Sequence, residues 1–485
     1  MIKKMLLYSG WAACAMAGCT MIPRYQRPAA PVAGRFPDGA DRSGDAADIG
    51  WRDFFADPRL KQLVALALEN NRDLRVAALT VAQYQAEYRI QRSALFPTID
   101  ATANYTRSRS AGYTSGATGV ATNTAAVGAT SLGSESTTGL NGSTSNLFSV
   151  SVGTTSYEVD LFGRVRSLNQ QALETYFSSD ETRRSTQISL VAQVATQYLD
   201  LLEEQEQLAL ARQTLSAVQT QYALNKRSYD AGADSELDVA TADAQVQTAR
   251  VQVFEYERLA DQAANYLALL VGAPLPADLP PGRSLAGQGT FAPVPAGLPS
   301  DLIARRPDIL AAEDTLLAAN ANIGAARAAF FPVISLTASG GRTSVQLSQL
   351  FTPAAAVWSF APQISLPIFN GGSNLATLDE AKVEKRIEVA NYEKAIQTAF
   401  REVADALVAR DRYTGEVSAQ EALVAAEQRR YDLSNLRFRQ GADNYLTVLT
   451  AQQDLYSAQT NLINTRTDRL GNLITLYKAL GGGWK

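Results

Sequence analysis

The chain is written twice, and that repetition restricts what it can fold into more than any other feature. Residues 71–100, NRDLRVAALTVAQYQAEYRIQRSALFPTID, align without a gap to 306–335, RPDILAAEDTLLAANANIGAARAAFFPVIS. Asp73 meets Asp308, Arg92 meets Arg327, Phe96-Pro97 meets Phe331-Pro332 and Ile99 meets Ile334, an offset of 235 from Pro97 to Pro332. Downstream, YDAGADSELDVATADAQ (229–245) matches FRQGADNYLTVLTAQQD (438–454), an offset of 209 from Gly232 to Gly441. Both copies close alike, Leu-Val-Gly at 270–272 against Ala-Leu-Gly at 479–481. Such self-similarity marks one structural unit used twice. Length alone, at ~100–200 residues per domain, would suggest two to four domains; the duplication reduces them to two versions of one.

Each copy reads as helix, strand pair, long helix, turn, long helix. The first spans 51–272, with strands near 98–107 and 147–161 and long helices over 163–229 and 236–271. The second spans 301–485, with strands near 332–344 and 357–368 and long helices over 372–437 and 445–478. A Pro/Gly-rich linker, 273–300, joins them. Over 236–271 the positions Val239, Ala242, Val246, Ala249, Val253, Tyr256, Ala260, Ala263, Leu267 and Leu270 step by three and four, a heptad seam. Its counterpart at offset 209 keeps Val448, Ala451, Leu455, Ala458 and Leu462, then turns polar at Thr465, Arg469 and Asn472. Many seam positions are Ala, which lets helix backbones approach closely. No proline interrupts 163–229, and at 1.5 Å per residue such a helix spans roughly 100 Å.

The strands carry one apolar and one small-polar face. Ile99, Ala101, Ala103 and Tyr105 alternate with Asp100, Thr102, Asn104 and Thr106. Trp358, Phe360, Ile364 and Leu366 alternate with Ser359, Ala361, Gln363 and Ser365. Phe148, Val150 and Val152 follow the same rule before the register flips to Tyr157, Val159 and Leu161, which predicts a bulge near Gly153. Alternation over about ten residues fits a transmembrane β-barrel and fits a half-buried soluble sheet equally well. Residues 107–146, mostly Gly, Ser, Thr, Ala and Asn, read as a long outward-facing loop. Four strands cannot close a barrel, and lipid forbids an unpaired edge. Three chains would close one of twelve strands.

The start of the chain favours the membrane reading. Lys3 and Lys4 precede an apolar run ending in Ala15-Met16-Ala17-Gly18-Cys19, the layout of a secretory signal over 1–18. The run is too short to be a stable transmembrane helix. Residues 15–19 resemble a bacterial lipoprotein box, in which Cys19 is acylated and becomes the first mature residue; Thr20 after it favours outer-membrane sorting. An ordinary secretory signal with an incidental Cys is the other reading. Residues 19–50, with Pro23, Pro28, Pro31 and Pro37, read as an extended tether. Downstream of Cys19 there is neither thiol nor imidazole, for the chain has two cysteines, Cys14 and Cys19, and no histidine. Cys nucleophiles, imidazole-bound zinc and Ser-His-Asp triads are thereby excluded from the body of the chain. No phosphate-binding loop, nucleophile elbow or convergent carboxylate pair stands out, no cofactor is indicated, and the chain is not expected to be an enzyme. A net charge of −4 gives no footprint for nucleic acid.

The landmarks WRDFFADPRL (51–60), ALENNRDLRVA (67–77), SYEVDLFGRVR (156–166), RRPDILAAE (305–313), LPIFNGG (366–372) and YKALGGGW (477–484) cover the mature chain nearly end to end. By these residues the chain resembles a TolC-type outer-membrane factor, in the acylated OprM/NodT branch that serves efflux pumps. The resemblance implies a mixed α and β membrane protein with four transmembrane strands per protomer. It further implies a homotrimer whose twelve-stranded barrel, embedded in outer-membrane lipid, continues into a long α-helical periplasmic barrel. It implies a passive channel for small molecules, served by a periplasmic membrane-fusion adaptor and an inner-membrane proton-driven pump. The tips at 229–240 and 438–450 would form the periplasmic mouth, with the adaptor docking at Gly232, Ala233, Asp234, Gly441 and Ala442. Relatives narrow that mouth with a carboxylate ring and an Arg three residues on; here those positions are Thr450 and Gln453, and the ring aromatic is Phe438. Asp443, Asp234, Glu236 and Asp238 keep negative charge at the tip, which threefold symmetry would multiply into cation-favouring rings. Two other readings remain: the outer component of a type I protein-secretion system, and a lipid-anchored coiled-coil scaffold with a soluble sheet.

Overall fold

The structure, a computed structural model, describes residues 20–33, 36, 49–110, 143–232, 235–288, 291, 303 and 305–484. Cys19 therefore lies outside the described residues, as do positions 111–142 of the long loop. The element order is α1 (Trp51–Phe54), α2 (Pro58–Asn70), α3 (Arg72–Ser93), β1 (Asp100–Ser110), β2 (Ser143–Glu158), α4 (Arg164–Asp230), α5 (Glu236–Val271), α6 (Pro307–Ala328), β3 (Val333–Ser344), β4 (Ala356–Ser365), α7 (Ser373–Arg439) and α8 (Tyr445–Ala479). Among the described residues no helix is long and apolar enough to cross a membrane. Two compact units form. The first takes described residues from 20–22, 89–169 and 323–378, the second from 23–88, 170–322 and 379–484. Each unit draws on both repeats, so neither repeat folds as a domain of its own.

The first unit is built on one antiparallel sheet in the order β1-β2-β3-β4. Registers carry the alternation across all four strands. Ala101, Val152, Gly340 and Trp358 form one row, and Ala103, Val150, Arg342 and Ala356 the next. The opposite face is a hydroxyl surface, with Thr102 bonded to Ser151, Ser108 to Ser145 and Ser339 to Ser359, each at 2.9 Å. Gly153 and Gly341 let the strands close up there, because a Cβ at either would lie 2.4 or 2.3 Å from a neighbouring carbonyl oxygen.

Several bounds differ from the sequence expectation. β1 runs on to Ser110 and β2 begins at Ser143, because the two strands keep pairing in register from Arg107↔Asn146 to Ser110↔Ser143. β2 stops at Glu158, whose carboxylate is taken by Arg164 at 2.9 Å. β4 stops at Ser365 rather than 368, since Pro367 has no N–H to donate. The bulge falls between Thr154 and Tyr157, where Ser156 adopts φ 56°, rather than at Gly153.

The second unit packs an apolar core across both copies. Phe54 stacks on Tyr477 at 4.0 Å between ring centroids, with Phe55 and Phe291 around them. Leu60, Leu63 and Val64 of α2 are buried in the same cluster as Val194 and Leu199 of α4, Leu267 of α5 and Leu476 of α8. Asp57 caps α2 through the Arg59 N–H at 2.8 Å and accepts from Tyr198, the Arg283 N–H and Gln288. Burial alone would raise its pKa, but those hydrogen bonds hold the carboxyl below its ordinary value. Residues 23–27 lie extended on α6: Asn320 donates to the Pro23 carbonyl at 2.9 Å, and Arg27 grips Glu313 with two bonds of 2.7 and 2.6 Å.

The duplication extends to individual contacts. Asn71 donates to the carbonyl of Leu270 at 2.8 Å, and its counterpart Arg306 to the carbonyl of Ala479 at 2.8 Å. Gln197 donates to the Ala263 carbonyl; in the second copy the same two positions exchange roles, and Asn472 donates to the Ala406 carbonyl. Arg212 pairs with Glu257 at 2.8 Å, while the equivalent positions carry Glu421 and Arg466 at 2.9 Å, with the charges interchanged. The sequence similarity at these sites is nil, yet each contact is kept.

Two predictions follow from this packing. Arg306, only 8% exposed, also binds Asp308 at 2.7 Å and Glu402 at 2.9 Å. Arg306→Ala strands those carboxylates and a helix-end carbonyl, and should cost about 3 kcal/mol, read as a lowered thermal midpoint of the detergent-solubilised protein. The second concerns pH. Burial, aided by Glu204, Asp200 and Asp468 against a Thr467 hydrogen bond, pushes Glu203 up to about 7. Burial likewise pushes Asp314, near Glu174, Glu181 and Glu313, up to about 7. Between the unfolded carboxylate value and pH 7 the folded chain therefore holds protons that the unfolded chain releases, so stability rises as pH falls through that window. Thermal midpoints should be higher at pH 5.5 than at pH 8, and Glu203→Gln should flatten the difference.

Candidate functional site

The two interhelical turns, with the helix ends that flank them, are the site to which the sequence assigns contact and gating. Both turns belong to the second unit. In the first, α4 ends as the Gly232 N–H bonds to the Tyr229 carbonyl at 2.8 Å, and Gly232 takes φ 73°. In the second, the Ala442 N–H reaches the Arg437 carbonyl and the Gly441 N–H the Phe438 carbonyl, both at 2.9 Å, with Gly441 at φ 72°. That pair of bonds around a left-handed glycine is the Schellman closure. Ala233 and Asp234 lie outside the described residues.

The start of each returning helix is capped at the same repeat position. Ser235 Oγ accepts from the Asp238 N–H at 3.2 Å while the Asp238 carboxylate reaches back to the Ser235 N–H at 3.3 Å, a capping box. In the second copy Asn444 Oδ1 accepts from the Thr447 N–H at 3.2 Å. Asp238 thus serves its own helix end. Asp443 is engaged as well, since Arg437 across the turn binds it at 2.5 Å. Of the two acids, Asp238 keeps its charge while serving its own helix start, and Asp443 is paired with Arg437.

Phe438 packs at 5.7 Å from Tyr445, which is buried with Val448, Leu449 and Ala242. Phe438, Gly441 and Asp443 share a groove of about 1030 Å³ with Thr220, Leu224 and Arg227 of α4. Thr450 is exposed, and its hydroxyl bonds to the Leu446 carbonyl of its own helix. Gln453 crosses to the first hairpin, donating to Gln245 at 3.3 Å, beside a cavity of about 250 Å³ lined by Val218, Ala249, Leu449 and Tyr456. The tip therefore assembles Phe438, Gly441 and Asp443 around one groove and Gln453 at another, while Thr450 joins neither. Sequence reasoning missed Arg437, Gln245 and Tyr445. The RFRQGAD run held a signal for the first, because a Schellman turn folds the chain back and brings Arg437 opposite Asp443.

Comparison with known proteins sets these features in context. The family model described as outer membrane efflux protein matches residues 63–273 and 298–482. The toluene efflux pump outer membrane protein TtgC of Pseudomonas putida is 49% identical, over 100% of this chain and 96% of its own length. The outer membrane protein OprJ of Pseudomonas aeruginosa is 40% identical, over 97% of this chain and 94% of its own. Among solved structures, the open state of the MtrE outer membrane channel of Neisseria gonorrhoeae aligns with a TM-score of 0.84 at 40% identity, covering 96% of this chain and 99% of that one.

The pairing at the tip yields a prediction for the protein in planar bilayers. Arg437→Ala leaves the Asp443 carboxylate uncompensated and should raise cation preference. Asp443→Ala leaves the Arg437 guanidinium uncompensated and should lower cation preference. Asp238→Ala should in addition lower stability by about 1 kcal/mol through the lost capping box.

Proposed function

The chain belongs to the outer membrane efflux protein family, and from that membership we propose how this protein works. It is the outer channel of a tripartite efflux pump, in the outer membrane, with the mixed helical and β-strand architecture of its relatives. The near full-length match to proteins named as efflux-pump outer membrane components carries this reading and favours it over a role in type I protein secretion. The channel conducts passively: small molecules delivered by an inner-membrane proton-driven pump through a periplasmic adaptor leave along the hydroxyl-lined face of the sheet, and no chemistry is performed on them.

The working assembly is a homotrimer. In its support, β1 and β4 are both open edges, and three copies of four strands make twelve. The outward side of α5, with Val251, Phe254 and Leu269 at 64, 70 and 69% exposure, offers apolar surface for a neighbouring copy. Cys19 carries the acyl anchor, supported by the small residues before it and by the firm attachment of residues 23–27 to α6. The adaptor docks at the turns around Gly232, Ala233, Asp234, Gly441 and Ala442. The resting mouth is closed by helix packing and polar contacts at Phe438, Thr450 and Gln453, and opens by splaying of the 372–478 hairpin; the amide pair Gln453–Gln245 supports this reading.

Deleting the gene should raise accumulation of toluene or a fluorescent dye in cells, and re-expression should restore export. Unchanged accumulation, with the adaptor and pump present, would refute the efflux role. On gels, the unheated protein should migrate as an SDS-resistant trimer. Cys19→Ser should abolish palmitate labelling and weaken outer-membrane retention without changing the strand content.

A further inference from the structure

The sheet's membrane side carries a feature that conduction does not use. Tyr105 and Phe148, paired in register, stack at 4.6 Å on the apolar face, the face that also bears Trp358 at 82% and Phe360 at 61% exposure. Side chains two apart on a strand share a face, so Arg107 and Arg109 stand immediately beyond Tyr105 on that same face, at the loop end of β1. Arg342 lies on it too, at the loop end of β3 in the row of Ala103 and Val150. Its guanidinium donates to the Thr352 carbonyl at 2.6 Å, a contact that leaves its charge uncompensated.

Among the described residues, no acid stands beside these cations. Among the described residues of the four strands the acidic side chains are Asp100 and Glu158, and the register places both on the hydroxyl face. Arg107 and Arg109 have no hydrogen bond or ion pair to any described residue, and both are exposed. Along β1 an apolar band is capped by the stacked aromatic pair and then by Arg107 and Arg109, with Arg342 one same-face row inside that pair; the order matches the depth profile of a bilayer whose outer surface is anionic. The opposite sheet end, where the chain enters the helices, instead pairs its charges internally: Arg164 with Glu158 and Arg166 with Asp160. Among the described residues, positive charge is therefore unpaired at one end of the sheet and neutralised at the other.

We propose that Arg107 and Arg109, supported by Arg342, form a binding surface for the phosphate groups of a phosphorylated glycolipid in the outer leaflet, whose acyl chains lie along Tyr105, Phe148 and Val150. Guanidinium groups suit this ligand, since they bind phosphate oxygens through paired N–H donors and are weakly hydrated at an interface. The surface rests on the outer-membrane channel reading and adds to it a specific lipid on the side facing away from the conduit.

The test uses the full-length oligomer, reconstituted in phosphatidylcholine vesicles containing bisphosphorylated lipid A. Insertion is scored by flotation and single-channel conductance, and retained lipid A by mass spectrometry after re-extraction. The wild-type chain should retain lipid A, and Arg107→Ser with Arg109→Ser should retain about thirtyfold less, at about 1 kcal/mol for each arginine near a charged surface. Replacing both by Lys should restore most of the binding. Equal retention by the double Ser variant with normal conductance would overturn the proposal, as would equal retention of lipid A stripped of its phosphates. Displacement by millimolar inorganic phosphate would also overturn it, by revealing a free-anion site. Failure of the wild-type chain to insert or conduct would instead strike the channel reading and this surface together.

Discussion

A sheet with two open edges cannot stand alone in hydrocarbon, and that constraint shapes the rest of this molecule. Each unpaired N–H or C=O left in lipid costs several kcal/mol, and β1 and β4 each present a full row of them. Four strands are too few to curl closed on themselves. The duplication supplies the strands two at a time, and symmetry between copies of the chain supplies the remainder in the trimer proposed here. The helices follow from the same logic. In chain order each strand pair is followed by one long helical hairpin, α4–α5 after β2 and α7–α8 after β4, so duplicating the unit duplicates both parts together.

The repeats diverged in sequence while the contacts between their helices were kept. The pair Arg212–Glu257 and its reversed counterpart Glu421–Arg466 show how that is possible. An exposed ion pair contributes little stability by itself, but like charges at facing positions would repel, so the pair must change together or not at all. Gln197 and Asn472 make the same point with neutral groups, each donating to the backbone of the facing helix from opposite sides of an equivalent crossing. Asn71 and Arg306 do it at the bundle's closing contacts, where a carbonyl at the end of the returning helix requires a donor. Asn meets that need with one amide; Arg meets it and also gathers Asp308 and Glu402.

The tip was less legible than the fold. Glycines at 232 and 441 announced the turns, because left-handed positions select particular residue types; the caps at Ser235 and Asn444 emerged from the structure. The fate of the carboxylates was not readable in the same way. Asp238 faces its own helix start and Asp443 meets Arg437, and neither outcome is visible in composition, since a count of acids near a turn does not say which ones are already partnered. Asp57 is similar. Only the packing reveals that Tyr198 of α4 and, from a second distant segment, Arg283 and Gln288 converge on it.

By itself the sequence determined the duplication, the long helices and their heptad seams, the four alternating strands and the positions of the turns, because periodicity and special residues are local properties written along the chain. The tertiary structure alone decided where β1 and β2 end, that the bulge falls at 154–157, and that the compact units cut across both repeats. It also decided that, among the described residues, positive charge stays unpaired at one end of the sheet and is paired away at the other. Those outcomes depend on which groups meet across hundreds of residues: a strand continues as long as its partner can pair with it, and a charge is free only when the fold brings no opposite charge within reach.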